Sequence, residues 1–336
     1  MTKRATWRLR AIAATLFALT AIFTQNLPVA IDEKARGTWY KGNLHTHTLN
    51  SDGDSTPQDV ATWYREHGYQ FLVLTDHNTF TDPAGLNSVL ASKERFLLIP
   101  GEELTDTYLQ KQIHINAFNL NKEILPRHGG SVAETIQNNV NVIREAKAIP
   151  SVNHPNFHWS ITAEDLLQVK GLGMFEVYNG HPQVNNVGGG GGRSMDELWD
   201  VLLSAGQKTY GIAVDDAHVF KKIGQEFSNP GRGWVCVRAQ SLSRENITAA
   251  LEQGQFYASN GVTLRDVNIT NSEYRLQIEG QRHERFTTHF IGAGGKVLAS
   301  TFDSTPVYRF TGSEKYVRAR VDSSFGHSAW TQPVFR

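Results

Sequence analysis

The 336-residue chain has a single cysteine, Cys236, which forbids an intramolecular disulfide and any thiolate metal cage. Net charge is also missing: 33 Lys+Arg against 33 Asp+Glu sum to zero. Holding long DNA or RNA by counterion release needs clustered basic residues, so no long nucleic acid is expected as a partner. No long hydrophobic run occurs either. Ala11–Phe23 (AIAATLFALTAIF) is thirteen residues, where a bilayer span takes roughly 20. It follows Lys3, Arg4, Arg8 and Arg10 with no acid before it. Residues 1–31 therefore read as a secretory signal peptide, or else an N-terminal anchor, which would be the chain's only membrane attachment. Cleavage near Ala30 would have Pro28 close to the cut, a poor site. On this reading the mature chain is exported, periplasmic or extracellular.

What the chain does have is a core and histidine. With 40% hydrophobic and 10% aromatic residues, disorder is excluded for most of its length. Past the leader, strand-like and helix-like pieces alternate. NLHTH precedes Thr56-Pro57-Gln58-Asp59, an N-cap with proline at N1, and Gly68 stops that helix. FLVLTD, FLLIPG, QIHINAF, IPSVNH, GMFEVYN and TYGIAVDD supply six further strands. Capping boxes at Ser131/Glu134, Thr162/Asp165 and Ser194/Glu197 start helices between them. Seven strands with crossovers predict a parallel α/β sheet or barrel. Gly188–Gly192 reads as a mobile loop and lacks the lysine of a P-loop. After Asn260 the period becomes two with no helix, which predicts a small antiparallel β-sandwich.

Thirteen histidines are present, most of them between His45 and His218, and they fall with acids at strand ends. His45 and His47 close the first strand with Asp52 beyond. Asp76-His77, Glu102-Glu103, His114, His154, Glu176 with Asn179, and Asp216 with His218 mark the others. The C-terminal ends of the strands of a barrel converge on one face, where active sites form. A lone histidine is usually a hydrogen-bonded core residue. Two His/Asp-x-His pairs with further histidines and acids are too costly to bury without a cation. Imidazole and carboxylate suit Zn²⁺, Mn²⁺ or Fe²⁺ rather than Cu⁺. No Gly-x-Ser-x-Gly supports a serine triad, and Asp52-Gly53-Asp54 lacks the terminal glutamate of a calcium loop.

NLHTHTLNSDGDS, VLTDHN, PGEEL, NHP and DDAH together resemble the motifs of the PHP (polymerase and histidinol phosphatase) metallohydrolases, over about Lys41 to Ala217. WYKGNLHTHT, GRGWVCVRA, AALEQGQFYASNGV and AWTQP are similar to the exported carbaryl-hydrolase-related (CehA/McbA-like) branch. The resemblance implies a distorted seven-stranded (β/α) barrel over residues 36–260, holding two or three divalent ions, followed by a β-sandwich at 261–336. It implies a first metal on His45, His47, Glu103 and Asp216. Glu103 would bridge to a second on His114 and His154, and Asp52, His77 and His218 would take a third. Of the adjacent pair Glu102 and Glu103, family spacing favours Glu103.

Clustered cations lower the pKa of a shared water and offset phosphoryl charge. The expected activity is in-line attack by metal-bridging hydroxide on a small phosphomonoester or phosphodiester, with Asp216 and Glu103 as the catalytic acids and Asp216 helping to move the proton. A carboxylic or carbamic ester hydrolase with the same metals is the alternative, and a metal-stabilised binding protein a third reading. Asp76 would orient a ligand imidazole or cap a strand end. Asn179, His181 and Arg232 are candidate substrate contacts. His67, His128 and His158 read as solvated; His283, His289 and His327 belong to the sandwich.

Overall fold

A computed structural model describes residues 37–92 and 95–336; the leader lies outside the described residues. In chain order the elements are β1 (Thr38–Asn43), α1 (Pro57–Glu66), β2 (Phe71–Leu74), α2 (Ala84–Leu90), β3 (Leu97–Tyr108), β4 (Lys111–Phe118), α3 (Val132–Glu145), β5 (Ile149–Val152), α4 (Ala163–Leu166), β6 (Met174–Asn179), α5 (Met195–Ser204) and β7 (Tyr210–Val214). There follow β8 (Trp234–Ala239), α6 (Arg244–Glu252), β9 (Phe256–Ser259), β10 (Thr263–Ile269), β11 (Glu273–Glu279), β12 (Phe286–Gly292), β13 (Lys296–Thr301), β14 (Val307–Arg309), β15 (Tyr316–Ser323), β16 (Ser328–Thr331) and β17 (Val334–Phe335).

Local signals act where expected. Thr56 accepts from the Asp59 amide ahead of α1, and reciprocal capping boxes start α4 and α5. At α3 only half of the box forms. Ser131 accepts from the Glu134 amide, but the Glu134 carboxylate accepts from Gly130 N instead.

The sheet is mixed rather than parallel. β1, β2 and β3 are parallel, as are β5, β6 and β7, while β4 runs antiparallel to both its neighbours. No helix separates β3 from β4: Leu109 and Gln110, both at positive φ, turn the chain directly. A hairpin cannot deliver a parallel partner, so the expectation of a crossover between every strand fails here. β8 adds antiparallel to β1, and the hydrogen bonding continues through β9, β16, β15, β12 and β13. Tyr40, Phe71, Ile99, Phe118, Met174 and Val235, from six strands between β1 and β8, meet in one buried cluster.

Beyond β9, a three-stranded sheet of β10, β11 and β14 shares an apolar core with the end of the large sheet, through Tyr257, Leu264, Tyr274, Leu276, Phe290 and Val317. The glycine run is not wholly without packing. A Cβ on Gly192 would stand 2.4 Å from the Trp159 ring, so glycine permits the indole to lie against the backbone there. Among the described residues, no helix is long and apolar enough to cross a membrane.

Candidate metal centre

His45 and His47 lie just past β1, in chain held from both sides. The amide of His47 donates to Ala217 O at 2.9 Å, that of Asp216 to His45 O at 3.0 Å, and that of Thr75 to Thr46 O at 3.0 Å. The segments leaving β1, β2 and β7 are thereby laced together, and both imidazoles of the His-x-His pair are fully buried. Glu103 sits within β3, His114 within β4, and His154 follows β5. His154 and Asp216 adopt positive φ, 23° and 51°, conformations that a non-glycine residue holds only when its surroundings impose them.

All nine expected donors meet around one cavity of about 420 Å³ or directly beneath it. Four overlapping groups each bring their donor atoms within 4.8 Å of one another: His47/Asp52/His77/His218, His45/His154/Asp216, His45/His47/Glu103 and His77/Glu103/His114. The Nε2 atoms of His45 and His47 are 3.1 Å apart. Asp216 Oδ1 is 3.2 Å from the first and 3.3 Å from the second. Glu103 lies centrally, 3.1 Å from His114 Nδ1, 2.8 Å from His77 Nδ1 and 3.6 Å from His154 Nε2. Asp52 Oδ2 is 3.4 Å from His218 Nε2 and 3.6 Å from His77 Nε2.

These residues fit divalent cations. Donors at about 2.05 Å in a tetrahedral shell are roughly 3.3 Å from one another, close to the spacings above. Glu103 Oε2 and His114 Nδ1 are buried, and their contacts at 2.8 Å to His77 Nδ1 and 3.1 Å to Glu103 Oε1 are not aligned as hydrogen bonds, a costly condition that a cation relieves. Several imidazoles are set with a lone pair toward the cluster. His45 Nδ1 lies 2.7 Å from Glu176 Oε1, His218 Nδ1 is 2.9 Å from Asp216 O, and His114 Nε2 is 3.3 Å from Gln112 Oε1. With the proton on each of those nitrogens, the other ring nitrogen is free to ligate.

The electrostatics are those of acids and imidazoles sharing a dry space. Burial would raise the Glu103 and Asp216 carboxyls, but the surrounding histidines hold both well below the usual range. Burial lowers the histidines. At His77 the Glu103 and Asp52 carboxylates win and raise it to about 10, whereas His47, facing His218, falls to about 4. Across β3 from Glu103, Glu102 points away, accepts from Ile124 N at 3.0 Å, and is pushed by burial to about 7.

Of the three candidate substrate contacts, His181 lines the cavity. Asn179 is fully buried, donating to Glu176 and Asp216 and accepting from His181 N. Arg232 clips loops, donating to Gly180 O, Gly224 O and Asn229 Oδ1. The Asp76 carboxylate gathers Thr48, Ser51 and Thr81 and so fixes the loop that carries Asp52, and Ser51 Oγ in turn lies 3.4 Å from His47 Nδ1. His67 lies exposed on Trp63, and His128 is exposed beside Asp106. Phe157 and Ser228, on loops, and Gln112, at the start of β4, complete the cavity wall and were missed because single residues carry no spacing signal.

No family model matches the chain. It is 27% identical over 135 residues to the uncharacterized protein MJ1295 of Methanocaldococcus jannaschii, covering 37% of this chain and 62% of that one. It is 34% identical over 79 residues to the 5'-3' exoribonuclease Rnm of Salmonella typhimurium, covering 23% of this chain and 27% of that one. The chain thus spans less than two thirds of either curated relative. Among solved structures it is similar to a two-domain protein from Bacteroides vulgatus containing a predicted PHP-like metal-dependent phosphoesterase. The TM-score is 0.50 at 17% identity, over 85% of this chain and 90% of that one. The shared feature at that distance is the fold alone, a mixed α/β architecture.

Proposed function

We propose that this chain is a metal-dependent hydrolase of ester bonds, and specifically a phosphoesterase. The observation that carries the proposal is the convergence of nine imidazole and carboxylate donors, from segments spread over residues 45–218, on one cavity. Divalent cations held there would activate water and polarise a substrate oxygen. His45, His47, Glu103 and Asp216 would hold one, Glu103 with His114 and His154 a second, and Asp52, His77 and His218 a third.

The chain's own groups do the rest. Asp216, a buried carboxylate held ionised by its imidazole neighbours, accepts a proton at Oδ1 or Oδ2. His181 accepts from Gln183 N at Nδ1, 3.3 Å away, which leaves Nε2–H to donate to a substrate oxygen. Phe157 supplies an apolar wall, and Gln112 and Ser228 polar ones.

A carboxylic or carbamic ester is the second reading. No arginine or lysine is among the residues lining the cavity, so only the cations would offset phosphoryl charge. The resemblance to the carbaryl-hydrolase-related branch supports the same reading. We assign residues 36–260 to the hydrolase domain, its strands closing as a distorted seven-stranded barrel, residues 261–336 to a β-sandwich domain, and residues 1–31 to export. The N-terminal sequence of the mature protein tests the last. The function is tested with zinc-, manganese- or iron-reconstituted protein on a panel of phosphomonoesters, phosphodiesters, 5'-phosphorylated oligoribonucleotides and aryl esters. Turnover of a phosphoester supports the proposal, turnover of aryl esters alone selects the second reading, and no turnover at full metal occupancy refutes both in favour of a binding protein.

A further inference from the structure

Behind the donors lies a carboxylate that no ligand group includes. Glu176, on β6, is fully buried, and both of its oxygens are engaged. Oε1 lies 2.7 Å from His45 Nδ1; Oε2 accepts from His154 N at 2.7 Å and from Asn179 Nδ2 at 2.8 Å. Asn179 Nδ2 in turn reaches Asp216 Oδ2 at 3.1 Å. One carboxylate and one amide therefore brace His45, His154 and Asp216, and these three form one of the candidate ligand groups. Two of the three, His154 and Asp216, are the site residues whose backbones sit at positive φ.

We propose that Glu176 is a positioning residue that keeps the proton of His45 on Nδ1, presents Nε2 to a cation, and holds the strained His154 backbone in place. The proposal rests on the metal-centre reading above. Its chemistry is that of three donors and no protons to spare. An ionised carboxylate accepts His45 Nδ1–H, His154 N–H and Asn179 Nδ2–H at once. A glutamine of the same shape cannot. If its NH₂ replaces Oε2, it faces a backbone N–H that cannot invert. If it replaces Oε1, it faces His45, whose ring must then accept at Nδ1 and carry its proton on Nε2. The second arrangement is the one that can relax, and it blocks the donor atom 3.1 Å from His47 Nε2. Losing an outer partner of a ligand imidazole typically weakens metal binding by about 10–100-fold.

The test compares wild type, Glu176→Gln and, as a control for loss of a buried carboxylate outside the cluster, Glu102→Gln. Each is titrated with zinc by calorimetry, with far-UV circular dichroism as the measure of folding. Imidazole proton–nitrogen correlations of the zinc-loaded wild type locate the proton on His45. The expected result is an Nδ1–H on His45 protected from exchange, zinc affinity lowered about 10–100-fold in Glu176→Gln, and wild-type affinity in Glu102→Gln. Wild-type zinc affinity in a folded Glu176→Gln overturns the proposal. So does zinc on Nδ1 of His45 in wild type, a measurement that decides the matter even if the variant fails to fold. A wild type that binds zinc and depends on Glu176 yet cleaves no ester refutes only the hydrolase reading. One that cleaves esters with unchanged zinc affinity in Glu176→Gln refutes only this inference. One that takes up no zinc refutes both.

Discussion

Two buried clusters of charge lie in this molecule, and they are built in opposite ways. At the junction of α5 with the C-terminal strands, Arg318 donates from Nε and Nη2 to Asp200 at 2.8 and 2.7 Å. It pairs with Asp196 at 2.8 Å and lies 4.8 Å from the Trp199 ring. Tyr316 adds a hydrogen bond to Asp200. The guanidinium is a permanent cation, raised further above its ordinary value by the two aspartates, so this cluster carries its own counter-charge. The mouth cluster has no permanent cation: its positive partners are imidazoles, which hold their charge only while protonated and are neutral when they ligate. A cluster balanced by a guanidinium is a joint; one balanced by imidazoles can exchange its protons for a metal.

Substitutions should separate the two. The largest effect is expected from His45→Ala or Asp216→Ala, which should reduce ester turnover to the uncatalysed background while circular dichroism shows the fold retained. Retained wild-type turnover in either would mean that the chemistry lies elsewhere. Arg318→Met should do the reverse. It strands Asp200 in a buried place, while Asp196 keeps its pair with Arg320 at 2.9 Å, and should cost roughly 3–5 kcal/mol in denaturant unfolding, with metal content per folded molecule unchanged.

An intermediate effect concerns pH. In chelator-treated protein His77 is raised from 6.5 to about 10, and His45, His154 and His218 are raised as well. Their contribution to stability is complete below about 6.5 and is lost as pH climbs toward 10. His47, His114 and His181 shift the other way and act only below 6.5. The melting temperature of the metal-free chain should therefore fall between pH 7 and 10, while metal binding strengthens as imidazoles lose protons. A flat alkaline limb would show that these histidines are not paired with the carboxylates. The smallest effect is Ser194→Ala, which removes the cap from the helix bearing Asp196 and Asp200 and should cost about 1 kcal/mol with activity intact.

The donors were legible because ligand chemistry leaves a local imprint: His-x-His, paired acids after Pro100-Gly101, and Asp-x-His. Alternation predicted that only one of Glu102 and Glu103 faces the cluster, and Glu103 does. Helix starts were legible for the same reason, since a cap is a contact over three residues. The β3–β4 hairpin was not, because Leu109 and Gln110 turn at positive φ without glycine or asparagine. α6 was missed although its ends are marked, by Ser243, which accepts from Asn246 N, and by Gly254 at positive φ just beyond it. Asn179 and Arg232 hold other parts of the chain, and polarity near a motif does not show which groups the protein itself engages. Glu176 was visible as a strand-end acid, but its role depends on His45, 131 residues away.

The most direct measurement is elemental analysis of the purified chain before and after chelation, with ester turnover followed through removal and re-addition of the metal. The account predicts two or three bound divalent ions per chain, activity lost with them, and activity recovered on their return. A folded chain that carries no metal after exposure to zinc, manganese and iron, or whose turnover is untouched by stripping, would contradict it.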